Sequence, residues 1–149
     1  MVTIGDRLLR AGNTRRAAQR HERAIRTESN SSVPRIRLSQ IALLRGQYAE
    51  AANHYREALL AEPGWLSKAP DIESIYGEPG DFARQITRLE SHLQANPGDR
   101  NAWLVLGAQR LLSGRTREAG DIFLRLSDRK PDAALAAFLA ATYPLNRAQ

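Results

Sequence analysis

Three histidines are the side chains of this sequence best suited to acid–base or metal chemistry, and they lie far apart, at His21, His54 and His92. A helical metal site needs a second ligand three or four residues away, and none of them has another histidine at that spacing. Carboxylates such as Glu50 and Glu57 fall on ordinary helix faces, where they form surface contacts. No Ser–His–Asp arrangement, glycine-rich phosphate loop or HExxH motif is present. The sequence therefore predicts no enzyme, no metal site and no cofactor.

The composition is that of an ordinary globular domain, with a net charge of +6 and no cysteine. The lack of cysteine excludes disulfides and thiolate metal sites. No run of 18 apolar residues occurs, so no membrane span is expected. The N-terminal residues, MVTIGDRLLRAG, lack the long apolar core of a secretory signal. These features favour a cytoplasmic protein, and the positive charge makes nucleic acid a partner to be weighed.

The clearest helical pattern lies in residues 44–63, LRGQYAEAANHYREALLAEP. Small and aromatic residues recur there at helical spacing, which places them on one stripe of a helix. The stripe consists of Tyr48, Ala51, Tyr55, Ala58 and Leu59. Gly46 breaks the preceding helix, and Pro63 cannot continue this one. The small residues allow close approach of a second helix, while the aromatic residues fill the space between.

The same pattern recurs along the chain at a constant interval, so that equivalent residues form columns. One column of the repeat holds the glycines Gly12, Gly46, Gly80 and Gly114. A second column holds the prolines Pro63, Pro97 and Pro131. A third column holds the alanines Ala17, Ala51 and Ala119. Such a register predicts an array of similar helical units, each with a turn at its glycine.

This pattern resembles the tetratricopeptide (TPR) repeat, whose period is about 34 residues. Trp103, Leu106 and Gly107 are similar to the first-helix signature of that family, and Asp99 is positioned to cap this helix. The resemblance implies an all-α, right-handed solenoid that forms a single domain. The implied units are repeats at 1–31, 32–65, 66–99 and 100–133, with a capping helix and tail at 134–149. We expect Pro144 to end the capping helix. The first repeat starts three residues short of the period, so a fragment of a longer protein is one expectation, and a full-length chain stays open.

The third repeat departs from the pattern because helix-breaking residues interrupt its first helix. They are Pro70, Gly77 and Pro79. We expect a short helix there, with Ala69 extended before the proline and with Ile72, Ile75 and Tyr76 packed inward. Two interpretations remain open, a harmless irregularity and a widened groove or binding loop.

In TPR proteins the first helices line a concave groove, and the resemblance carries this role over to particular side chains. They are Ile36, Gln40, Leu43, Leu44, Asp71, Ser74, Asn101, Leu104, Ala108, Leu111 and Leu112. This surface is more apolar than polar, which suits an amphipathic helix or an extended apolar peptide. The alternative is that some of the leucines pack between repeats. We expect a non-catalytic adaptor that binds a protein or peptide partner in the groove.

The densest positive run lies in the first repeat, where Arg16, Arg20 and Arg23 fall near one helix face. An RNA-binding surface would add exposed aromatic residues, but those of this chain fall on packing positions, which makes nucleic acid a less favoured partner. The alternatives to an adaptor are therefore RNA or anionic-surface binding through these arginines, and self-assembly into a homo-oligomer. The simplest interpretation of these arginines is that their helix face is exposed to solvent or faces a partner.

Overall fold

A computed structural model of the chain describes residues 14–27, 31–69, 71–78, 80–127 and 132–147. Within these ranges the secondary structure is helical, and no β-strand is present. The α-helices are α1 Thr14–Thr27, α2 Val33–Leu44, α3 Tyr48–Ala61, α4 Asp81–Ala95, α5 Arg100–Leu112, α6 Thr116–Leu126 and α7 Ala133–Arg147. Two 3-10 turns, Trp65–Lys68 and Ile72–Ile75, lie between α3 and α4. The predicted all-α class is confirmed. The helix expected within residues 1–13 and the turn at Gly12 lie outside the described residues.

Three glycines with left-handed backbone conformation precede α3, α4 and α6. Their φ angles are 72° at Gly46, 89° at Gly80 and 86° at Gly114. Side chains other than glycine are disfavoured at such angles, because a Cβ would contact the backbone. The turns predicted at these positions are therefore confirmed, and each lies one repeat period from the next.

The pair formed by α5 and α6 shows why small residues are needed at the helix contact. A Cβ added to Gly107 on α5 would lie 2.8 Å from the Cζ of Phe123 on α6, and Phe123 is fully buried. The ring therefore occupies the space that any larger residue would need. The predicted cap of α5 is also confirmed, since the side chain of Asp99 accepts a hydrogen bond from the amide of Ala102 at 3.1 Å.

The segment between α3 and α4 contains no α-helix within its described residues, and the short helix predicted there is present only in 3-10 form. Two single 3-10 turns replace it, and Ala69 between them is extended as expected, with φ −68° and ψ 132°. The residue before a proline is disfavoured in the α conformation, which explains the interruption. Ile72 and Ile75 are each 2% exposed, which confirms that they pack inward. Pro70 and Pro79 lie outside the described residues.

The two 3-10 turns do not keep α3 apart from the helices that follow α4. As a result, α3 packs directly against α5, and it also contacts α7. In a regular repeat array each unit contacts only its neighbours. In this chain the second pair (α2 and α3) and the fourth pair (α5 and α6) contact each other across the third unit.

The C-terminal helix α7 packs against α6 and reaches α3 as well. Its Phe138 is fully buried, stacked on Phe123 with ring centroids 5.3 Å apart and edge-on to Tyr55 at 5.8 Å. It also lies edge-on to Trp65 at 6.4 Å. The prediction that Pro144 ends the helix is wrong, because α7 continues to Arg147. A proline in a helix removes one N–H donor and crowds the carbonyl four residues before it, which disfavours the helix locally but does not always end it.

Candidate functional site

Six of the eleven residues expected to line an open groove are buried in the core. They are Ile36, Gln40, Leu43, Leu104, Ala108 and Leu112. The second pair packs directly on the fourth pair, which covers much of this face. These side chains stabilise the fold, and an external peptide cannot reach those that are fully buried.

Gln40 lies at the centre of a buried polar network, here called the glutamine cluster, formed by Gln40, Gln109, Tyr55 and Tyr76. The Nε2 of Gln40 donates to the Tyr55 hydroxyl at 2.7 Å and to the Oε1 of Gln109 at 2.9 Å. The Nε2 of Gln109 donates back to the Oε1 of Gln40 at 2.8 Å, and the Tyr76 hydroxyl donates to the same oxygen at 2.8 Å. The Tyr55 hydroxyl donates to the Oε1 of Gln109. The cluster therefore connects α2, α3 and α5 with the segment after the second 3-10 turn.

The glutamine cluster is a structural network rather than a reactive one. Burial raises the pKa of both the Tyr55 and the Tyr76 hydroxyl well above the ordinary value of tyrosine, and this effect outweighs the opposing hydrogen bonds. Both hydroxyls stay protonated and act as hydrogen-bond donors. Since Gln40 and Gln109 are fully buried and bonded to each other, neither is available to a ligand. One feature of the sequence indicated such a buried network, because Gln109 is an uncharged polar residue within an apolar helix face.

Three of the predicted groove residues still line an opening at the C-terminal end of α5. This opening, here called the recess, has a volume of about 390 Å³. Its lining consists of Leu66, Ala69, Asp71, Leu111, Leu112, Ser113, Gly114 and Ala141. The sequence pattern pointed to Asp71, Leu111 and Leu112, but not to the residues from the turn after α5 and from α7. The recess combines an aliphatic wall with one exposed carboxylate.

The remaining predicted groove residues lie apart from the recess. Leu44 is half-buried at the end of α2, where its carbonyl accepts a hydrogen bond from the Nη1 of Arg88 at 3.0 Å. Ser74 is exposed, and its hydroxyl donates to the carbonyl of Asp71 at 2.6 Å. Asn101 accepts from the Nη2 of Arg56 at 3.0 Å. The eleven residues therefore do not form one continuous surface.

Arg56 connects α3 to the start of α7 through an ion pair with Asp132, at 3.0 Å from Nη2 to Oδ2. Asp132 also caps α7, since its Oδ1 accepts from the amide of Ala134 at 2.9 Å. Burial alone would raise the pKa of Asp132, but the hydrogen bond and charge of Arg56 and the backbone amides outweigh it and lower the pKa. The charged carboxylate is therefore the form that stabilises the fold.

The three arginines predicted as an anionic-partner patch are brought together on α1. Arg16, Arg20 and Arg23 line a shallow pocket of about 240 Å³ together with Gln19. Arg16, Arg20 and Arg23 are exposed. The spacing of four and three residues thus places them on one face, which is here called the arginine patch.

Among the residues that the structure describes, no group of three or more His, Cys, Asp or Glu is placed to hold a metal ion. Within the same residues, every helix is too short or too polar to cross a membrane. No protein-family model matches this sequence, and no curated protein matches it significantly.

Proposed function

We propose that this chain is a TPR-like helical-repeat adaptor without catalytic activity. Three left-handed glycines in one repeat column support this, and so does the contact between Gly107 and Phe123. We further propose a right-handed arrangement of the units in which the third is reduced to two 3-10 turns and α4. This interruption brings the second and fourth pairs together and restricts the binding surface to part of the expected groove.

The observation that carries the functional proposal is the composition of the recess. Aliphatic side chains from three separate elements, including Leu66, Leu111 and Ala141, converge there around an opening of about 390 Å³. Ligand pockets typically measure about 300–1,000 Å³, so the recess is large enough for one or two apolar side chains of a partner. Asp71 at the edge offers an acceptor for a backbone amide of the same segment. The proposed ligand is a short apolar segment of another protein, held at the C-terminal end of α5.

Peptide selection from a random display library tests this proposal, followed by titration of the enriched peptides against variants. Leu111→Glu places a charge on the aliphatic wall, and desolvating it should weaken binding by about tenfold or more. Leu60→Glu is the matched control, because Leu60 is 80% exposed and lies outside the recess. Circular dichroism checks that both variants remain folded. Peptides that bind wild type and Leu111→Glu equally would contradict the proposal.

The arginine patch supports a second candidate function, the binding of RNA or another polyanion through α1. Binding of a single-stranded RNA oligonucleotide should weaken steeply with increasing salt, because neutralised phosphates release counterions. Arg20→Glu should reduce this binding, whereas Arg26→Glu on the same helix lies outside the patch and should reduce it less. Fluorescence anisotropy at several salt concentrations measures both effects. Equal losses in the two variants would reject a specific role of the patch.

A further inference from the structure

A second opening lies at the N-terminal end of α5, and it differs from the recess in charge. Its volume is about 270 Å³, and it is here called the basic pocket. Its lining consists of Pro97, Gly98, Arg100, Trp103, Ile122, Arg125 and Leu126. Two arginines, one tryptophan and two aliphatic side chains are thus combined without any carboxylate. Because α5 rises about 1.5 Å per residue, the two ends of the helix are about 18 Å apart, and the two openings can act independently.

Two of the polar side chains of the basic pocket are fixed by hydrogen bonds before any ligand binds. The Nη2 of Arg100 donates to the carbonyl of Leu126 at 2.6 Å, which anchors the guanidinium and leaves its other N–H donors available. The Nε1 of Trp103 donates to the carbonyl of Pro97 at 2.9 Å, which fixes the orientation of the indole ring. Preorganised groups lose little conformational entropy on binding, so they suit a binding site.

Arg125 contributes a positive charge to the basic pocket. It is exposed, and in the part of the chain that the structure describes it has neither a hydrogen bond nor an ion pair. Other arginines of the same region are paired, such as Arg110, which contacts Glu90 at 3.0 Å and Glu118 at 2.8 Å. The charge of the basic pocket is therefore open to an external anion.

We propose that the basic pocket binds an acidic peptide segment of a partner protein, with a glutamate or aspartate next to an apolar residue. The carboxylate would accept charge-assisted hydrogen bonds from the guanidinium groups of Arg100 and Arg125, which line the same pocket. The apolar neighbour would pack on the exposed part of Trp103 and on Ile122. A polynucleotide is less suited to this pocket, because most of its lining residues are apolar and only one aromatic side chain is available for stacking. The arginine patch, by contrast, has no apolar wall.

Isothermal titration calorimetry with the full chain and a short acetylated and amidated peptide tests this proposal. The peptide carries two glutamates on either side of a leucine and a phenylalanine, and its blocked ends remove any terminal carboxylate. We expect a dissociation constant below about 1 mM and a change in tryptophan emission, since Trp103 lines the pocket while Trp65 is buried. A peptide with glutamines in place of the glutamates should bind about tenfold more weakly, because the charge-assisted bonds are lost.

The variant that decides the question is Arg125→Glu, matched by Arg117→Glu on the same helix α6. Both variants change one exposed arginine, but Arg117 lies outside the basic pocket. Arg125→Glu should weaken acidic-peptide binding by about tenfold or more, and Arg117→Glu should change it by less than about twofold. Leu111→Glu in the recess should leave this binding unchanged. Absent binding, equal losses in the two arginine variants, or tighter binding of a single-stranded RNA oligonucleotide through Arg125 would each overturn the proposal.

Discussion

The second helix pair (α2 and α3) and the fourth (α5 and α6) share a repeat register, but they differ in how one buried aromatic side chain is accommodated. In the second pair this side chain makes hydrogen bonds, whereas in the fourth it makes only apolar contacts. Tyr55 and Phe123 occupy the same column, two repeat periods apart, and both rings contact Phe138. In the fourth pair the Phe123 ring rests against Gly107 and needs no polar partner. In the second pair the added hydroxyl of Tyr55 is satisfied by two glutamines.

The hydroxyl oxygen that distinguishes Tyr55 from Phe123 thus leads to contacts between residues far apart in the sequence. A buried hydroxyl without a partner is costly, so the hydroxyl of Tyr55 requires a nearby donor or acceptor. Gln109 supplies that partner from α5, and Gln40 completes the network from α2. The apolar contact of the fourth pair is local, whereas the glutamine cluster fixes how α2, α3 and α5 meet across the third unit. Buried polar networks of this kind can specify a single arrangement when every member is satisfied.

The largest effect is expected from Phe138→Ala, which removes the ring that both pairs share. Phe138 is fully buried and contacts Phe123, Tyr55 and Trp65. The loss in the free energy of unfolding should be about 4 kcal/mol, from lost burial and a remaining cavity. Urea denaturation followed by circular dichroism measures it. Leu60→Ala, at a residue 80% exposed, should change stability by less than about 0.5 kcal/mol. A loss below about 1 kcal/mol for Phe138→Ala would show that α7 is not part of the core.

The second largest effect should come from Gln40→Leu, which breaks the glutamine cluster. The variant leaves the Nε2 of Gln109 and the hydroxyl of Tyr76 without their partner, at a cost of about 3 kcal/mol in unfolding free energy. The double variant Gln40→Leu with Gln109→Leu should cost less than the sum of the two single changes, because fewer polar atoms remain unpaired. Chemical denaturation of the four proteins in this cycle gives the coupling energy. Strictly additive losses would mean that the two glutamines do not interact.

Gly107→Ala tests the apolar contact between Gly107 and Phe123 in the fourth pair. The new methyl group would meet the Phe123 ring, and the strain should cost about 2 kcal/mol, partly offset by the helix propensity of alanine. Ser39→Ala at the matching position of the second pair should cost about 1 kcal/mol, because it removes two hydrogen bonds without a clash. The hydroxyl donates one of them to the carbonyl of Ile36 and accepts the other from the Nε2 of Gln40. Thermal and urea unfolding measure both. Gly98→Ala is the control, because a Cβ there has no atom within 4 Å. A larger loss of unfolding free energy for Ser39→Ala than for Gly107→Ala would contradict this expectation.

The smallest effect concerns Asp132, which joins α3 to α7 through Arg56. Because its pKa is lowered in the folded state, its contribution is present above the ordinary aspartate pKa of about 4 and is lost as the pH falls through the folded value. Asp132→Asn should therefore cost about 1 kcal/mol or less at pH 7, and the difference from wild type should shrink near pH 3. Urea titrations at both pH values measure this. Asp121→Asn, at an exposed carboxylate on α6, should show no such change. A difference that grows in acid would contradict the assigned role.

The parts of the fold that depend on local residue chemistry could be predicted from the sequence. The turns at Gly46, Gly80 and Gly114 follow from the backbone angles that glycine tolerates, and the cap at Asp99 follows from its carboxylate. The proline-rich interruption was also foreseen, although its outcome as two 3-10 turns was not. A proline predicts where a helix stops, but not how its neighbours rearrange.

The candidate site was less predictable because burial depends on contacts between distant helices. Gln40 lies on the helix face that the resemblance assigns to a groove, but in the structure it is buried and bonded to Gln109, 69 residues further along the chain. Leu111 and Asp71 were identified, whereas Ala141 of α7 could be added to the recess only once the path of α7 was known. The basic pocket joins the start of α5 to the end of α6. Residues so far apart share no repeating pattern that would reveal their proximity.

The direct contact of the second pair with the fourth also bears on how the chain folds. A repeat array can ordinarily nucleate anywhere and grow by adding neighbours, because its contacts are local. Here the bond between Gln40 and Gln109 closes a separation of 69 residues, and that between Arg56 and Asp132 closes one of 76. Closing such loops costs chain entropy before any contact forms, so folding slows as contact order rises. During synthesis α3 must therefore wait for α5 and α7 to leave the ribosome before its inner face is covered.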